Sequence, residues 1–361
     1  MDPPIERPIR LVPSDLGRHN SPQTSDLAPG KSVTLERKSW THYLLSAAKL
    51  IVFAMLCWFI YHTFVSGNET LSAHTWHVEP QWLVLSAALY LLAMLPAAVF
   101  WQRVLVHAGQ KVGFGDALRA YYISQLGKYV PGKWMVIVLR RGMLHSPDAE
   151  NTVVAASVFF ETLTMLAVGA AISALMLVLW YPEQRLLIAA ALGSTLLLGV
   201  PTVPAVFGWL IRVLGVGKLN PTVRSKLTRI GPRAILIGWI TIALGWFLLG
   251  MSFWATLRAM DATTGGPFHE LALHTTAMSL GMVAGFISQI PGGLGAREWV
   301  SAELMQPEYG ASVAIVSAII FRLVLLVSEL VISIILYAVG WRRGRKSAAA
   351  IEAEPSASDN C

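Results

Sequence analysis

Long apolar runs separated by short polar stretches fill the middle of the chain. A helix needs about 20 apolar residues to cross the hydrocarbon core of a bilayer. Runs near that length occupy residues 44–65, 82–102, 153–181, 186–211, 234–257 and 311–340. The pattern predicts an all-α polytopic membrane protein with six transmembrane helices, contained in a membrane domain over residues 41–345.

The two ends of the chain are polar. Residues 1–40 are rich in Pro, Ser and Asp, and residues 346–361 are rich in Ala, Ser and Glu. Neither stretch has enough apolar side chains to form a packed core, so we predict a disordered cytoplasmic tail at each end. No apolar segment follows the early charges closely, which is unlike a cleavable signal peptide.

Two further apolar segments, residues 120–139 and 271–304, are interrupted by Pro and Gly. The interruptions read Gly127-Lys128-Tyr129-Val130-Pro131-Gly132-Lys133 and Pro291-Gly292-Gly293-Leu294-Gly295-Ala296-Arg297-Glu298. Pro lacks a backbone donor and Gly permits unusual dihedrals, so each motif is expected to end a helix and turn the chain. Each segment is either a full span or a re-entrant pair of half-helices.

The distribution of Lys and Arg favours the re-entrant alternative. With both broken segments re-entrant and a cytoplasmic N-terminus, 23 of the 28 Lys and Arg residues fall on the cytoplasmic side, where positive loop charge accumulates. A full crossing by the first segment would place the six positive charges of residues 212–233 outside. We therefore predict a multi-pass protein of the cytoplasmic (inner) membrane with both termini cytoplasmic.

Composition agrees with a bilayer as the solvent. The chain is 55% hydrophobic and 14% charged, whereas soluble proteins carry about 25% charged residues. Its net charge of +7 is explained by loop charge and by contact with anionic headgroups, so no nucleic-acid partner is expected. The two cysteines and the scattered histidines have no metal-ligand spacing, and no cofactor or metal is predicted.

The two broken segments resemble each other. Each contains Ile-Ser-Gln, a Pro-Gly break, a base and a Trp, first over residues 123–134 and again over 287–299. Each break is flanked by long apolar spans, which defines units 82–181 and 234–340. Three spans separate the two starts, so the second unit is inverted, as in transporters with inverted repeats. The alternative is chance recurrence of short pairs in an apolar background.

Broken helices inside a membrane can form anion sites. A half-helix starting at Gly132 or Gly293 would aim free N–H groups and the positive end of its dipole into a cavity, where a lipid phosphate fits. Candidate lipid-binding and anion-binding residues are Lys128, Tyr129, Pro131, Gly132, Lys133, Arg140, Pro291, Gly292, Gly293, Gly295, Arg297 and Glu298. The alternative is that Pro and Gly only shape the turns, while the basic side chains reach the headgroups.

Three charged residues, Glu161, Arg322 and Glu329, lie within predicted spans. Each costs about 2.5–3.5 kcal/mol on insertion scales, which makes it a functional candidate. Arg322 and Glu329 share a helix face but lie about 10.5 Å apart along the axis, too far for a direct pair. Arg322 is expected to meet Glu161 or Glu298. These charges form a headgroup contact or proton relay, or else a buried ion pair that joins the two halves.

The two interruption motifs resemble the signatures of the lysylphosphatidylglycerol synthase transmembrane region, a flippase-like integral membrane family, over about residues 40–345. In bifunctional members this region is implicated in moving aminoacylated phospholipid between leaflets, and a soluble C-terminal domain makes the lipid. The sequence ends about 20 residues after its last span, so that synthase domain is expected to be absent. Some stand-alone relatives are tied to polyprenyl-phosphate sugar pathways.

The resemblance and the charge pattern together predict a flippase-like protein that binds and translocates an anionic phospholipid or a polyprenyl-phosphate-linked headgroup. One alternative is a membrane glycosyltransferase-like or lipid-modifying enzyme that uses Glu161, Glu298 or Glu329 as a base. Another is a non-transporting scaffold for envelope synthesis. The expected partners are a membrane lipid or lipid-linked substrate and envelope-synthesis proteins.

Overall fold

The computed structural model describes residues 78–129, 134–144, 146, 149–213, 231–263, 268, 270–288, 290, 293 and 295–352. Within these ranges the regular structure is helical and contains no strand. The predicted span 44–65, the N-terminal tail 1–40 and residues 353–361 lie outside the described residues. The last helix continues to Glu352, beyond the boundary expected at residue 345.

Ten α-helices follow one another along these ranges, and we number them in that order. They are α1 (Pro80–His107), α2 (Phe114–Ser124), α3 (Trp134–Met143), α4 (Asn151–Trp180), α5 (Arg185–Gly199), α6 (Pro204–Val213), α7 (Pro232–Ala259), α8 (Leu271–Ile287), α9 (Ala296–Tyr309) and α10 (Ala311–Glu352). A 3₁₀ turn, Gln125–Tyr129, follows α2. A second one, Val200–Thr202, joins α5 to α6.

Five helical stretches in the described ranges are long and apolar enough to cross a bilayer. They are Pro80–His107, Asn151–Trp180, Arg185–Thr202, Arg233–Ala259 and Ala296–Gly340. Each overlaps one of the six predicted spans, and the sixth, 44–65, is the one that lies outside. The prediction of one continuous helix over 186–211 was wrong, because Pro201 and Pro204 lack the N–H groups that would continue α5 into α6.

Helices α1 and α7 pack side by side in opposite directions at the centre of the fold. The N–H of Glu79, at the start of α1, donates to the carbonyl of Ala259 at the end of α7 over 2.8 Å. Farther along, the Ser86 hydroxyl donates to the Ser252 carbonyl at 2.7 Å, and the Ser252 hydroxyl donates to the Ser86 carbonyl at 2.7 Å. This exchange of identical bonds is what a local twofold axis between the two helices produces.

Helix ends flank both Pro/Gly interruptions: the turn after α2 ends at Tyr129 and α3 begins at Trp134, while α8 ends at Ile287 and α9 begins at Ala296. We call α2, the turn Gln125–Tyr129 and α3 hairpin A, and we call α8 and α9 hairpin B. The arms of hairpin A have 11 and 10 residues. At about 1.5 Å per residue, neither arm is long enough to cross a bilayer alone.

The long helix before each hairpin lies beside the long helix after it. The end of α1 lies beside the start of α4, where the Trp101 indole N–H donates to the Ser157 hydroxyl at 3.0 Å. Likewise, the end of α7 lies beside the start of α10, where the Phe253 and Phe321 rings pack with centroids 5.1 Å apart.

The packing partners of the two units correspond helix by helix. Helix α1 contacts α2 and α4 as α7 contacts α8 and α10, and α4 contacts α8 as α10 contacts α2. Even the shared Ile-Ser-Gln motif has one local role. The hydroxyls of Ser124 and Ser288 each donate to the carbonyl three residues earlier, those of Tyr121 and Gly285, where the first arm of each hairpin ends.

Glycine permits the close packing inside hairpin B. A Cβ atom added to Gly285 would lie 3.1 Å from the Gly293 Cα and 3.3 Å from the Arg297 Cβ. Gly293 itself has φ +70°, a left-handed conformation that favours glycine. The two arms therefore approach each other closely at the tip because neither glycine carries a side chain.

We expect Gly285→Val to lower the unfolding free energy by about 1–3 kcal/mol, because a β-branched side chain overpacks this contact. Gly193→Val in α5 is the matched control, since an added Cβ there meets nothing within 4 Å. Thermal unfolding of the purified protein in detergent measures both. Equal losses in the two variants would show that the hairpin contact is not the cause.

Candidate functional site

A cavity of about 500 Å³ lies between the two units, and the tips of both hairpins reach it. Its charged lining residues are Lys128, Arg140, Glu161 and Arg297. Most of the remaining lining side chains are apolar, including Met94, Leu166, Ile242 and Leu249. An apolar pocket with a few convergent polar groups is the usual form of a small-ligand site.

The Glu329 carboxylate in α10 is the centre of a cluster that joins the two units. Lys128, at the tip of hairpin A, forms an ion pair with it, and Tyr90 of α1 donates its hydroxyl to the same Oε1. The Tyr129 hydroxyl donates to Oε2 at 3.1 Å. Glu329 is fully buried, while the Lys128 side chain is 26% exposed. The first unit supplies all three donors and the second unit supplies the acceptor.

A second ion pair, between Arg140 of α3 and Glu161 of α4, lies within the first unit at 2.8 Å. Arg140 also donates from Nε to the Ser124 hydroxyl at 3.1 Å. Its guanidinium lies 4.3 Å from the Tyr121 ring centroid and 4.7 Å from that of Trp101. This buried charge is thus paired, hydrogen-bonded and stacked, which offsets its desolvation.

The second unit has the corresponding pair with the charges exchanged. Glu298 of α9 pairs with Arg322 of α10, whereas α3 supplies the base and α4 the acid in the first unit. Of the two partners expected for Arg322, the structure shows Glu298. The other Glu298 oxygen accepts the Gly295 N–H at 2.8 Å.

The expectation that a half-helix starts at Gly293 with a free N-terminus was wrong. Helix α9 begins at Ala296, after Gly295 in a left-handed conformation with φ +78°. The Glu298 carboxylate caps this end of the helix and occupies the position that an external anion would take. In hairpin A, α3 begins at Trp134, two residues after Gly132.

Arg297 is the cavity cation that has no ion pair or side-chain hydrogen bond to another described residue. Its neighbour Glu298 is engaged with Arg322. Lys128 and Arg140 are neutralised by Glu329 and Glu161. When the adjoining Glu329 is counted with it, the described lining therefore has an excess of one positive charge, located at Arg297.

Aromatic side chains border the cavity where it reaches the surface. Trp134 of α3 and Phe159 of α4 both line it, and they are 53% and 55% exposed. Both lie on helices of the first unit that pack against each other. Two described residues that line the cavity are thus also exposed at the surface, on the neighbouring helices α3 and α4.

The structure brings together nine of the predicted site residues. Lys128, Arg140, Glu161, Gly293 and Arg297 line the cavity. Tyr129, Glu298, Arg322 and Glu329 belong to the adjoining ion-pair clusters. Gly295 is the N-cap of α9. Pro131, Gly132, Lys133, Pro291 and Gly292 lie outside the described residues. Among the residues of the chain that the structure describes, no group of three or more His, Cys, Asp and Glu side chains could hold a metal ion.

Sequence analysis missed two tyrosines of the site. Tyr90 bonds to Glu329, and the Tyr121 hydroxyl donates to Glu161 at 3.1 Å. Both are buried, at 4% and 2% exposure. A buried tyrosine hydroxyl usually has a hydrogen-bond partner, so Tyr90 within an apolar span was the available signal. The sequence could not show which acid it meets.

A comparison with protein families matches residues 40–333 to the lysylphosphatidylglycerol synthase TM region. The chain belongs to this family. It is an integral membrane protein, as its apolar helices also indicate. A comparison with curated proteins finds no match.

The buried Lys128–Glu329 pair should be a strong stabilising contact whose partners depend on each other. We expect Lys128→Met to cost about 3–5 kcal/mol of unfolding free energy, because it leaves a buried carboxylate without its cation. Adding Glu329→Gln should recover part of that loss. Denaturant titrations in mixed micelles give the double-mutant cycle.

Asp261→Asn is the control for that cycle, since its ion pair with Arg258 is at the surface and Asp261 is 83% exposed. Exposed pairs contribute little. Additive effects of the Lys128 and Glu329 substitutions would show that the two residues do not interact energetically.

Proposed function

We propose that this protein moves lipids between leaflets, binding the headgroup of an anionic phospholipid or polyprenyl-phosphate-linked lipid in the cavity and passing it across the membrane. The observation that carries the proposal is a mostly apolar cavity between the units in which Arg297 has no ion pair with another described residue. A phosphodiester headgroup carries one negative charge, which matches the excess charge of the described lining.

The hairpin geometry supports the re-entrant arrangement that such transport requires. The long helix before each hairpin lies beside the long helix after it, and the tip of hairpin A contacts Tyr90 near the middle of α1 through the Glu329 cluster. Gly285 and Gly293 of hairpin B line the same cavity. Two half-crossing hairpins from opposite faces would place the site at mid-depth, which is where inverted-repeat transporters bind substrate.

The antiparallel contact between α1 and α7 supports inverted repeats. The reciprocal Ser86–Ser252 bonds connect residues 166 apart, and the two hairpin motifs are separated by about the same interval. An axis that exchanges antiparallel spans lies in the membrane plane. Each unit would then present its hairpin from a different side of the membrane.

An opening of the cavity toward the bilayer, between α3 and α4, would suit a lipid rather than a water-soluble substrate. Trp134 and Phe159 border it, and both rings are more than half exposed on the apolar surface. A headgroup that enters between α3 and α4 would leave its acyl or prenyl chains in the bilayer. Only the polar part of the lipid would then need a path through the protein.

The proposed orientation places the base of hairpin A in the cytoplasm. The end of α1, the start of α7 and both ends of hairpin A lie at one end of the fold. That end carries Arg103, Lys111, Arg119, Arg141 and Arg233. Positive residues accumulate on the cytoplasmic side, so hairpin B would enter from the outside.

Transport accounts for the acidic residues better than catalysis does. Glu161, Glu298 and Glu329 are each bound by a basic side chain. A general base needs an accessible oxygen beside the reacting proton. Glu161 lines the cavity, but Arg140 and Tyr121 bind its two oxygens.

The test is leaflet exchange in proteoliposomes that contain fluorescent phosphatidylglycerol or a labelled polyprenyl-phosphate sugar. We expect wild type to exchange at least one of these lipids faster than protein-free vesicles do. Arg297→Gln should reduce exchange at least tenfold, since a hydrogen bond to a charged group contributes about 1.5–3 kcal/mol. Arg185→Gln, which removes an exposed arginine at the start of α5, is the control.

No exchange above empty vesicles with either class of lipid would contradict the proposed function. Equal loss in the Arg297 and Arg185 variants would show that general surface charge, and not the cavity cation, determines the rate.

A further inference from the structure

We propose that this transport is coupled to protons through Glu329: an entering headgroup takes Lys128 from the Glu329 carboxylate, and that carboxylate takes up a proton. The inference rests on the proposed function. It adds the proton as a second transported species and the proton gradient as a source of energy for lipid transport.

The Lys128 side chain is placed to exchange partners. It lines the cavity, where a headgroup phosphate can reach it, and it also forms the ion pair with Glu329. Glu329 has no exposed surface. A phosphate in the cavity therefore competes with Glu329 for the Lys128 ammonium while remaining separated from the carboxylate itself.

Without the Lys128 ammonium, the ionised Glu329 carboxylate would be buried with no cation paired to it. An ionised carboxylate removed from water and from its cation costs several kcal/mol, and a carboxyl group avoids this cost by taking up a proton. The hydroxyls of Tyr90 and Tyr129 already bond to Glu329 and can remain hydrogen-bonded to the neutral acid. They supply no charge to replace the ammonium.

The other charged groups near Glu329 among the described residues either form an ion pair elsewhere or face the cavity. Arg322, on the same helix, pairs with Glu298 of α9. Arg297, also on α9, faces the cavity and is expected to bind the headgroup. The groups that face Glu329 from the packed elements are thus Tyr90 of α1, Lys128 and Tyr129 of the hairpin A tip, and the two arginines. Lys128 is its direct ionic partner.

Tyr90 provides the route for the proton. It lines the cavity and donates its hydroxyl to Glu329. A proton from water in the cavity can pass along this hydroxyl to a Glu329 oxygen when Lys128 leaves. The same proton returns to water when the headgroup departs and Lys128 pairs with Glu329 again. Lys128 keeps its own proton throughout.

The coupling follows from where the ion pair lies. It connects the hairpin A tip of the first unit with α10 of the second, so any movement that separates these elements must separate the pair. Separating Lys128 from Glu329 costs little free energy only when the phosphate binds the Lys128 ammonium and the Glu329 carboxyl group is protonated. Headgroup and proton are therefore expected to cross together, in the same direction, as an electroneutral cargo.

The test is to impose a pH difference of one unit across proteoliposomes that hold labelled phosphatidylglycerol or polyprenyl-phosphate sugar. Co-transport predicts accumulation of the lipid in the leaflet facing the alkaline compartment, up to about tenfold for one unit. Glu329→Gln should exchange the lipid without responding to the gradient. Glu329→Asp retains a titratable acid and should keep the response, as should Glu303→Gln, which alters an exposed acid on α9.

A second measurement is independent of the variants: wild type in weakly buffered detergent should take up about one proton for each phosphatidylglycerol bound, by linkage. Exchange that ignores the gradient in wild type would overturn coupling and leave lipid transport intact. A full response in Glu329→Gln would also overturn it. Absence of exchange with both lipids would remove the proposed function and the coupling together.

Discussion

The arrangement of this site depends on the cost of burying charge away from water. Three ion pairs involve buried acidic or basic side chains of the described helices, and each pair connects two different elements. Arg140 joins α3 to Glu161 of α4, and Glu298 of α9 joins Arg322 of α10. Each hairpin is thereby attached to the long helix that follows it. Among these three pairs of described residues, Lys128–Glu329 connects one unit to the other.

This distribution separates stable parts of the structure from parts that can move. Pairs inside a unit hold its hairpin to its own scaffold, and the matching contacts of α1 with α7 provide a common centre. A ligand in the cavity can reach the pair between the units through Lys128, and it can also reach Arg140 and Glu161, which line the same cavity. A headgroup that binds Lys128 would thus act on the connection between the units.

Much of the architecture could be predicted from hydrophobic patterning. The lengths of the apolar runs predicted the five spans found in the described ranges, and the Pro and Gly residues predicted where helices end. Both features depend on residues that are close together in the sequence, so the sequence alone is enough to predict them. The division of 186–211 was missed, although Pro201 and Pro204 were visible. The apolar run is long enough for one span, but two prolines three residues apart remove the backbone N–H groups that one continuous helix would need.

The site was less predictable because its contacts connect distant residues. The free-energy cost of placing a charge inside the membrane marked Glu161, Arg322 and Glu329 as unusual. The sequence could not show that the partner of Glu329 is Lys128, which lies 201 residues away. Nor could it show that Glu298 caps its own helix. Helix spacing excluded a direct Arg322–Glu329 pair, but only the packing of α9 and α10 selects Glu298.

The central claim is that a lipid phosphate binds between the two hairpin tips. An electron cryomicroscopy structure in nanodiscs containing phosphatidylglycerol or the polyprenyl-phosphate lipid tests it most directly. The account predicts phosphate density in contact with Arg297 and Lys128, with hydrocarbon chains leaving between Trp134 and Phe159. A cavity filled only by hydrocarbon, with phosphates confined to the membrane surfaces under saturating lipid, would contradict it.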